Sequence, residues 1–166
     1  MVDLTYRNIR PTDFDDLHAM VSYWSVVRQL GGWPWPASND FTRGRSKPYK
    51  GNGFVWAICI NDRLSGSIGV TNGDLGYMLH PDHHGQGIIS RATSKAVDHA
   101  FQTTDRDLLT GSTWYDNPTS ARILAKLGFV HWQTCYIHSK ARGFPALVHQ
   151  RRLSRADWDR LRSAQQ

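Results

Sequence analysis

Polar and apolar residues alternate in "LTYRNIR" (4–10), the pattern of a short strand with one buried face. Thr12 or Asp13 then stands where a helix N-cap belongs. Phe14, Leu17, Met20, Val21 and Trp24 share one face of a helix expected to run to about Val27. "GGWPWPASND" breaks that helix, because Gly31, Gly32, Pro34 and Pro36 all oppose its continuation. From there to Gly53 the chain is polar, basic and rich in Gly and Pro. It is expected to be a mobile excursion with at most one short helix.

"GFVWAICI", "LSGSIGV" and "LGYMLH" are strand-like runs separated by the tight turns "NDR" and "TNGD", so an antiparallel meander is expected. Ile88, Ala92, Ala96 and Ala100 then repeat at helical spacing, with Ile89, Val97 and Phe101 beside them. This predicts a helix from about Gln86 to Phe101. "LLTGSTW" is a further strand. Asn117 caps the next helix, Pro118 fills its first position, and Ala121, Leu124 and Leu127 face inward. Gly128 has the place of a left-handed C-terminal cap, with Phe129 as its apolar partner. Two alternating strands, "FVHWQTCYIH" and "PALVHQRRL", and an amphipathic tail after Ser154 close the chain. The order implies an α/β fold of the α+β kind. It would have a mixed, mostly antiparallel sheet of about six to seven strands, with helices on both faces, in one domain over 1–166.

Composition narrows the class. An apolar fraction of 40% with 20% charged residues is ordinary for a soluble globular protein. The first residues, "MVDLTYRNIRPTDFDD", carry charges where a signal peptide needs an apolar core, and no run is long enough for a membrane helix. A cytoplasmic protein is expected, with no membrane partner. Cys59 and Cys135 make no disulfide framework and read as reduced, buried thiols. The net charge of +6 suits an acidic partner. Its densest groups, "TRGRSKPYK" (42–50) and "HQRRLSR" (149–155), have no nucleic-acid motif's layout. They read as solvated faces, so no nucleic-acid partner is expected.

The candidate chemistry lies in "LHPDHHGQGII" (79–89). His80, His83 and His84 fit no metal-ligand spacing: no His stands at i and i+4 around a Glu, and no Cys or acidic partner follows at ligand distance. No metal is expected. Gly85 and Gly87 precede a helix N-terminus, where unpaired N–H groups and the helix dipole favour an anion. A Rossmann turn would need a third Gly where Ser90 stands, and no GK[ST] marks a P-loop.

A strand, "HPDHHGQGIISRATSKAVDHAF", a strand and then "DNPTSARILAKLGFV" together resemble the GNAT superfamily of acyl-CoA-dependent N-acyltransferases. Within it the chain looks most like the branch of the ribosomal-protein N-terminal acetyltransferases (RimJ/RimL-like). The resemblance runs from "YRNIRPTDFDDL" to "LSRADW" and rests mainly on "LHPDHHGQG" and "NPTSARILAKLGF". The family's phosphate loop reads [QR]-x-x-G-x-[GA]; here Asp82 takes the first place, a departure that backbone binding tolerates.

The resemblance implies a central strand splay at Leu79 and His80, whose backbone would pair with the pantetheine arm. His84, Gly85, Gln86, Gly87 and Ile88 would wrap the pyrophosphate, and Asn117 and Ser120 would contact the CoA arm. Many members use a Tyr late in the helix after Asn117 as proton donor. "ILAKLGF" has none, so that role moves to Ser120, to Tyr77 or to water, with Ser120 favoured. Asp74 begins the strand "DLGYMLH" where related sequences often carry an acidic residue, and is a candidate base; His131, His138 and water are alternatives. Trp33 and Trp35 fall in the region that walls the acceptor pocket. The implied activity is direct transfer of an acetyl group from acetyl-CoA to a primary amine by a monomer or homodimer. The rival is a non-catalytic acyl-CoA sensor. Protein N-termini, aminoglycosides, polyamines and amino acids all remain open as acceptors.

Overall fold

The computed structural model describes residues 3–164. In chain order the strands are β1 (Thr5–Asn8), β2 (Gly53–Ile60), β3 (Arg63–Thr71), β4 (Asp74–Leu79), β5 (Leu108–Trp114), β6 (Val130–Ser139) and β7 (Phe144–Ser154). The helices are α1 (Phe14–Val21), α2 (Trp24–Val27), α3 (Asn39–Arg45), α4 (Ile88–Thr103), α5 (Pro118–Lys126) and α6 (Arg155–Ser163). The strands form one seven-stranded sheet in the order β1-β2-β3-β4-β5-β7-β6. The expected meander is β2, β3 and β4, and the sheet is antiparallel except at β4–β5. No described helix is long and apolar enough to cross a membrane.

Each face of the sheet carries its own apolar layer. On one side Ile88, Ala92, Ala96, Val97 and Ala100 of α4 and Leu124 of α5 close over Ile58, Ile68, Leu75 and Leu109. On the other, Leu17, Met20 and Val21 of α1 pack over Ala57, Cys59 and Met78. Removing a large side chain from either layer costs about 2–5 kcal/mol through lost burial and the cavity left behind.

The parallel pair β4–β5 is the feature on which the site depends. Its register holds only Asp74 to Thr110 and Leu75 to Gly111. Beyond Leu75 the two strands diverge, which is the splay expected of the family. The β5-facing edge of Gly76–Leu79 then has no ladder partner, although backbone polar groups require one from protein, water or ligand. Gly111 lets α5 lie close here, because a Cβ at that position would stand 3.3 Å from Leu124 Cδ1. The far end of α5 is fixed as its sequence predicted. Gly128 has φ +89°, its N–H bonds to Ala125 O (3.0 Å), and Phe129 N–H bonds to Leu124 O (3.0 Å), a Schellman cap.

Four expectations need correction. The first helix does not continue to Val27: the Ser22 hydroxyl bonds back to His18 O (2.7 Å), and Tyr23 turns extended, setting its ring edge-on to His80. Trp24 therefore leaves the core face and lies against Trp35, while Val26 and Val27 are buried in its stead. Asp13 does not cap α1 with its side chain. Its buried carboxylate accepts two bonds from the Arg7 guanidinium (2.7 Å each) and one from Arg10 N–H (2.7 Å). Burial pushes its pKa up, and these partners outweigh that and hold it below the usual range. Cys135 is half-buried, not buried, because it lies on β6, an edge strand with little cover. Finally, the helix expected from Gln86 begins at Ile88, since Gly87 takes a left-handed conformation.

The segment after Pro36 holds the one short helix expected, α3, and the structure gives it definite anchors. Ser38 Oγ accepts from Phe41 N–H (3.2 Å), and the fully buried Thr42 hydrogen-bonds His18 Nδ1 on α1 (3.0 Å).

Candidate active site

Two cavities meet at the splay. The larger, about 830 Å3, lies between β4, β5 and the α3 segment. The smaller, about 700 Å3, lies between the loop after β4, the start of α4 and one face of α5. They share Gln29, Leu30, Tyr77, Met78, Asn117 and Ser120. At that common wall Tyr77 Oη and Ser120 Oγ stand 2.6 Å apart. Two residues 43 positions apart in sequence thus form one hydrogen-bonded pair. Burial pushes the Tyr77 phenol above its ordinary pKa and the Ser120 bond only partly counters this, so the phenol holds its proton at neutral pH.

Gly85 and Gly87 line the smaller cavity. Both have left-handed backbones, φ +74° and +70°, and a Cβ on either would point into open space. Other residue types are strained in that conformation, and the absence of side chains leaves the N–H groups ahead of α4 open to an anion. The loop is tied at its root. The His84 Nε2–H donates to Leu79 O (3.1 Å); a carbonyl only accepts, so this nitrogen carries the proton. His83 and His84 line the cavity as loop residues, and no group of metal-ligating side chains occurs among the described residues.

Asn117 caps α5, its Oδ1 accepting from Ser120 N–H (3.1 Å). Its loop is held by Asp116, which pairs with Arg28 and accepts two bonds from Arg142 (3.0 and 2.8 Å). Arg142 also donates to Arg28 O (2.9 Å). These bonds, those of Arg142 foremost, hold the Asp116 pKa down at about 2. The network ties the end of α2 and the β6–β7 turn to the loop that aims Ser120.

Asp74 lines the larger cavity and accepts a bond from Thr110 Oγ1 (2.7 Å). Desolvation by the surrounding protein raises its pKa, with Thr110 opposing. Three strand residues at about 3.3 Å each put Asp74 roughly 10 Å along β4 from Tyr77. It can reach an amine at the pair only through water.

Not every expected residue comes to the site. Trp33 lines the larger cavity, whereas Trp35 lies against Trp24 outside both linings. Leu79 and Ile88 line the smaller cavity. His80 faces away, accepting from Asp82 N–H (3.3 Å), and the Gln86 side chain donates to Asp82 O (3.2 Å). Sequence reasoning missed Thr119, Arg122, Ile123 and Lys126, which line the smaller cavity from α5. Their spacing, one helical face opposite Leu124, was the available signal. It also missed Arg45, Lys47, Tyr49 and Lys50 on the larger cavity, the basic group read as a solvated face.

The family model described as the acetyltransferase (GNAT) domain matches residues 3–130, and the chain belongs to that family. A curated relative, the uncharacterized N-acetyltransferase p20 of Bacillus licheniformis, is 23% identical over 154 residues, covering 81% of this chain and 85% of that one. Two solved structures share the fold. The ribosomal-protein-S5-alanine acetyltransferase of Vibrio fischeri has a TM-score of 0.76 at 16% identity, covering 93% of this chain and 94% of that one. The spermidine N-acetyltransferase of Vibrio cholerae, in complex with CoA and spermine, has a TM-score of 0.78 at 14% identity, covering 93% and 97%. Family membership makes the protein an acetyl-CoA-dependent N-acetyltransferase and disfavours the non-catalytic sensor.

Proposed function

We propose that acetyl-CoA lies in the smaller cavity with its thioester at the Tyr77–Ser120 pair, and that the amine enters from the larger one. The observation that carries this is the 2.6 Å hydrogen bond standing where the two cavities join. The pyrophosphate sits on the N–H groups of Gly85 to Ile88, with Arg122 and Lys126 on the facing helix supplying positive charge. The pantetheine arm runs along the unpaired edge of β4, in the position of the strand that the splay removes, and passes Asn117.

The acetyl donor is already activated, so the protein's work is placement and proton handling. An alkylamine arrives protonated, and one proton leaves through water to Asp74 before attack. The nitrogen then forms its bond to the carbonyl carbon, and backbone N–H groups of the open β4 edge stabilise the oxyanion. Collapse breaks the C–S bond as the nitrogen gives up its second proton to water. The thiolate takes a proton from Ser120 Oγ or Tyr77 Oη, its partner hydroxyl passes one on, and solvent restores the pair. Acetyl-CoA is a solute of the cell interior, which supports a cytoplasmic protein.

Because the two hydroxyls act as one unit, Ser120→Ala and Tyr77→Phe should each lower kcat on the order of 10²-fold, with a smaller change in KM for acetyl-CoA. The double variant should lose little more than either single one. Thiol release under saturating amine is the measurement. Wild-type kcat in both single variants would remove the pair from the chemistry and leave the proton to water.

A further inference from the structure

The larger cavity has an uneven charge. Its lining contains Arg45, Lys47 and Lys50 from the α3 segment and one carboxylate, Asp74. Asp74 is engaged by Thr110 on β5, and Arg45 lies over the Phe41 ring. Among the described residues no carboxylate pairs with Arg45, Lys47 or Lys50. All three are exposed, so they stand at the cavity's rim. A second, independent feature lies deeper. Thr113 lines the same cavity, is only 3% exposed, and its Oγ1 has no hydrogen-bond partner. Buried hydroxyls are nearly always bonded, and an orphaned one at a cavity wall is a place for a ligand's polar atom. Gly76, which also lines this cavity, leaves open space, since nothing lies within 4 Å of where its Cβ would be.

We infer that the acceptor is a small primary amine that also carries an anionic group, a carboxylate or a phosphate. The amine lies towards Asp74 and Ser120, and the anion is held by Arg45, Lys47 and Lys50. This rests on the acetyl-transfer reading above and narrows it. Polyamines, aminoglycosides and strongly basic protein N-termini bring several positive charges to a rim with three cations. Like charges facing each other across a binding site cost affinity and slow encounter. An amino acid or an aminoalkyl phosphate brings the opposite charge to the rim and a single ammonium to the lone carboxylate. The exposed rim cations are screened by salt, so the preference should weaken as ionic strength rises.

The experiment compares amines of similar size by kcat/KM at low and high salt, following thiol release from acetyl-CoA. The probes are butylamine, γ-aminobutyrate, O-phosphoethanolamine, putrescine and spermidine. At low salt γ-aminobutyrate or O-phosphoethanolamine should exceed putrescine and spermidine on the order of tenfold or more, and the better of the two identifies the anion. In the triple variant Arg45→Ala/Lys47→Ala/Lys50→Ala, whose exposed positions should leave the fold unchanged by circular dichroism, that ratio should collapse towards one. Thr113→Val, below the rim and away from the anion, should lower kcat/KM for butylamine and the anionic amines alike and leave their ratio unchanged. Turnover that favours putrescine or spermidine would overturn the inference while leaving acetyl transfer intact. A ratio unchanged in the triple variant would do the same. Thiol release on an unblocked peptide but on none of the small amines would overturn the inference and leave acetyl transfer intact. CoA binding without thiol release on the peptide or any amine would overturn the acetyl-transfer reading, and this inference with it.

Discussion

The smaller cavity offers a ligand chiefly backbone groups, and the larger one offers side chains drawn from distant parts of the chain. In the smaller cavity, Gly85 and Gly87 present N–H groups at the head of a helix, and the β4 edge presents unpaired peptide groups. In the larger, Trp33, Arg45, Lys47 and Lys50 come from one irregular segment, Asp74 from β4, and Thr113 from β5. Backbone recognition depends on conformation, which glycine spacing writes into a short stretch. On the reading proposed above, it would therefore tolerate Asp82 where the family pattern has Gln or Arg. Side-chain recognition depends on which types the segment carries, and that is where one fold acquires different acceptors.

The sharpest way to break this contrast is to put a side chain on the backbone site. Gly87→Trp would fill the approach to the N–H groups and strain a left-handed position. Affinity for CoA should fall on the order of 10²-fold or more by calorimetry, while the far face of the sheet stays folded. Equal affinities in two folded proteins would move the pyrophosphate elsewhere.

This contrast also explains what the sequence made legible. The meander, α4, and α5 with its Asn117 cap and Schellman end all follow from local signals: alternation, helical spacing, Pro118 and the placement of glycines. The reading of Gly85 and Gly87 as a phosphate loop rests on the resemblance. The splay was legible only through the resemblance, because strand divergence is a tertiary outcome that no local pattern encodes. The Tyr77–Ser120 contact closes over 43 positions, and neither residue's surroundings announce the other. Trp24 misled because the backbone turns extended at Tyr23, a break that the regular helical spacing of apolar residues does not announce. The rim of Arg45, Lys47 and Lys50 was visible as a charge run but not as a wall, since only the fold shows what it faces.

A second prediction sharpens the comparison at the wall both cavities share. Asp116 holds the loop that carries Asn117 and Ser120 against Arg28 and Arg142. Its pKa lies at about 2 in the folded protein against 3.8 as its ordinary value. A depressed carboxylate stabilises the fold above its unfolded pKa and loses that contribution as pH falls through the folded one. Asp116→Asn should therefore cost on the order of 2 kcal/mol at neutral pH, about 5 °C in Tm for a chain this size. The gap between wild type and variant should close as pH falls from about 4 to about 2. A gap independent of pH in calorimetric melts would mean that the ion pairs contribute nothing to it.

The smallest effect expected, and the one that bears most on mechanism, belongs to Asp74. Two consequences of its raised pKa point in opposite directions. A folded-state pKa above the unfolded one means that the protonated form is favoured by folding. Stability then declines as pH rises through the folded value, and ionised Asp74 costs stability at neutral pH. Asp74→Asn should remove that cost and raise Tm slightly at neutral pH, Thr110 still having an oxygen to donate to. Activity should move the other way. A base works only when deprotonated, so kcat/KM for the amine should rise with pH through the Asp74 pKa, above the ordinary carboxylate range. In Asp74→Asn that dependence should vanish and kcat/KM should fall on the order of tenfold, a modest loss because a base acting through water can be partly replaced by water. An unchanged pH profile with the same small gain in Tm would leave Asp74 as a structural residue at the start of β4 and return deprotonation to solvent. A fall in both activity and Tm would mean that the carboxylate holds β4 to β5. The deprotonating group would then have to be sought elsewhere along the larger cavity.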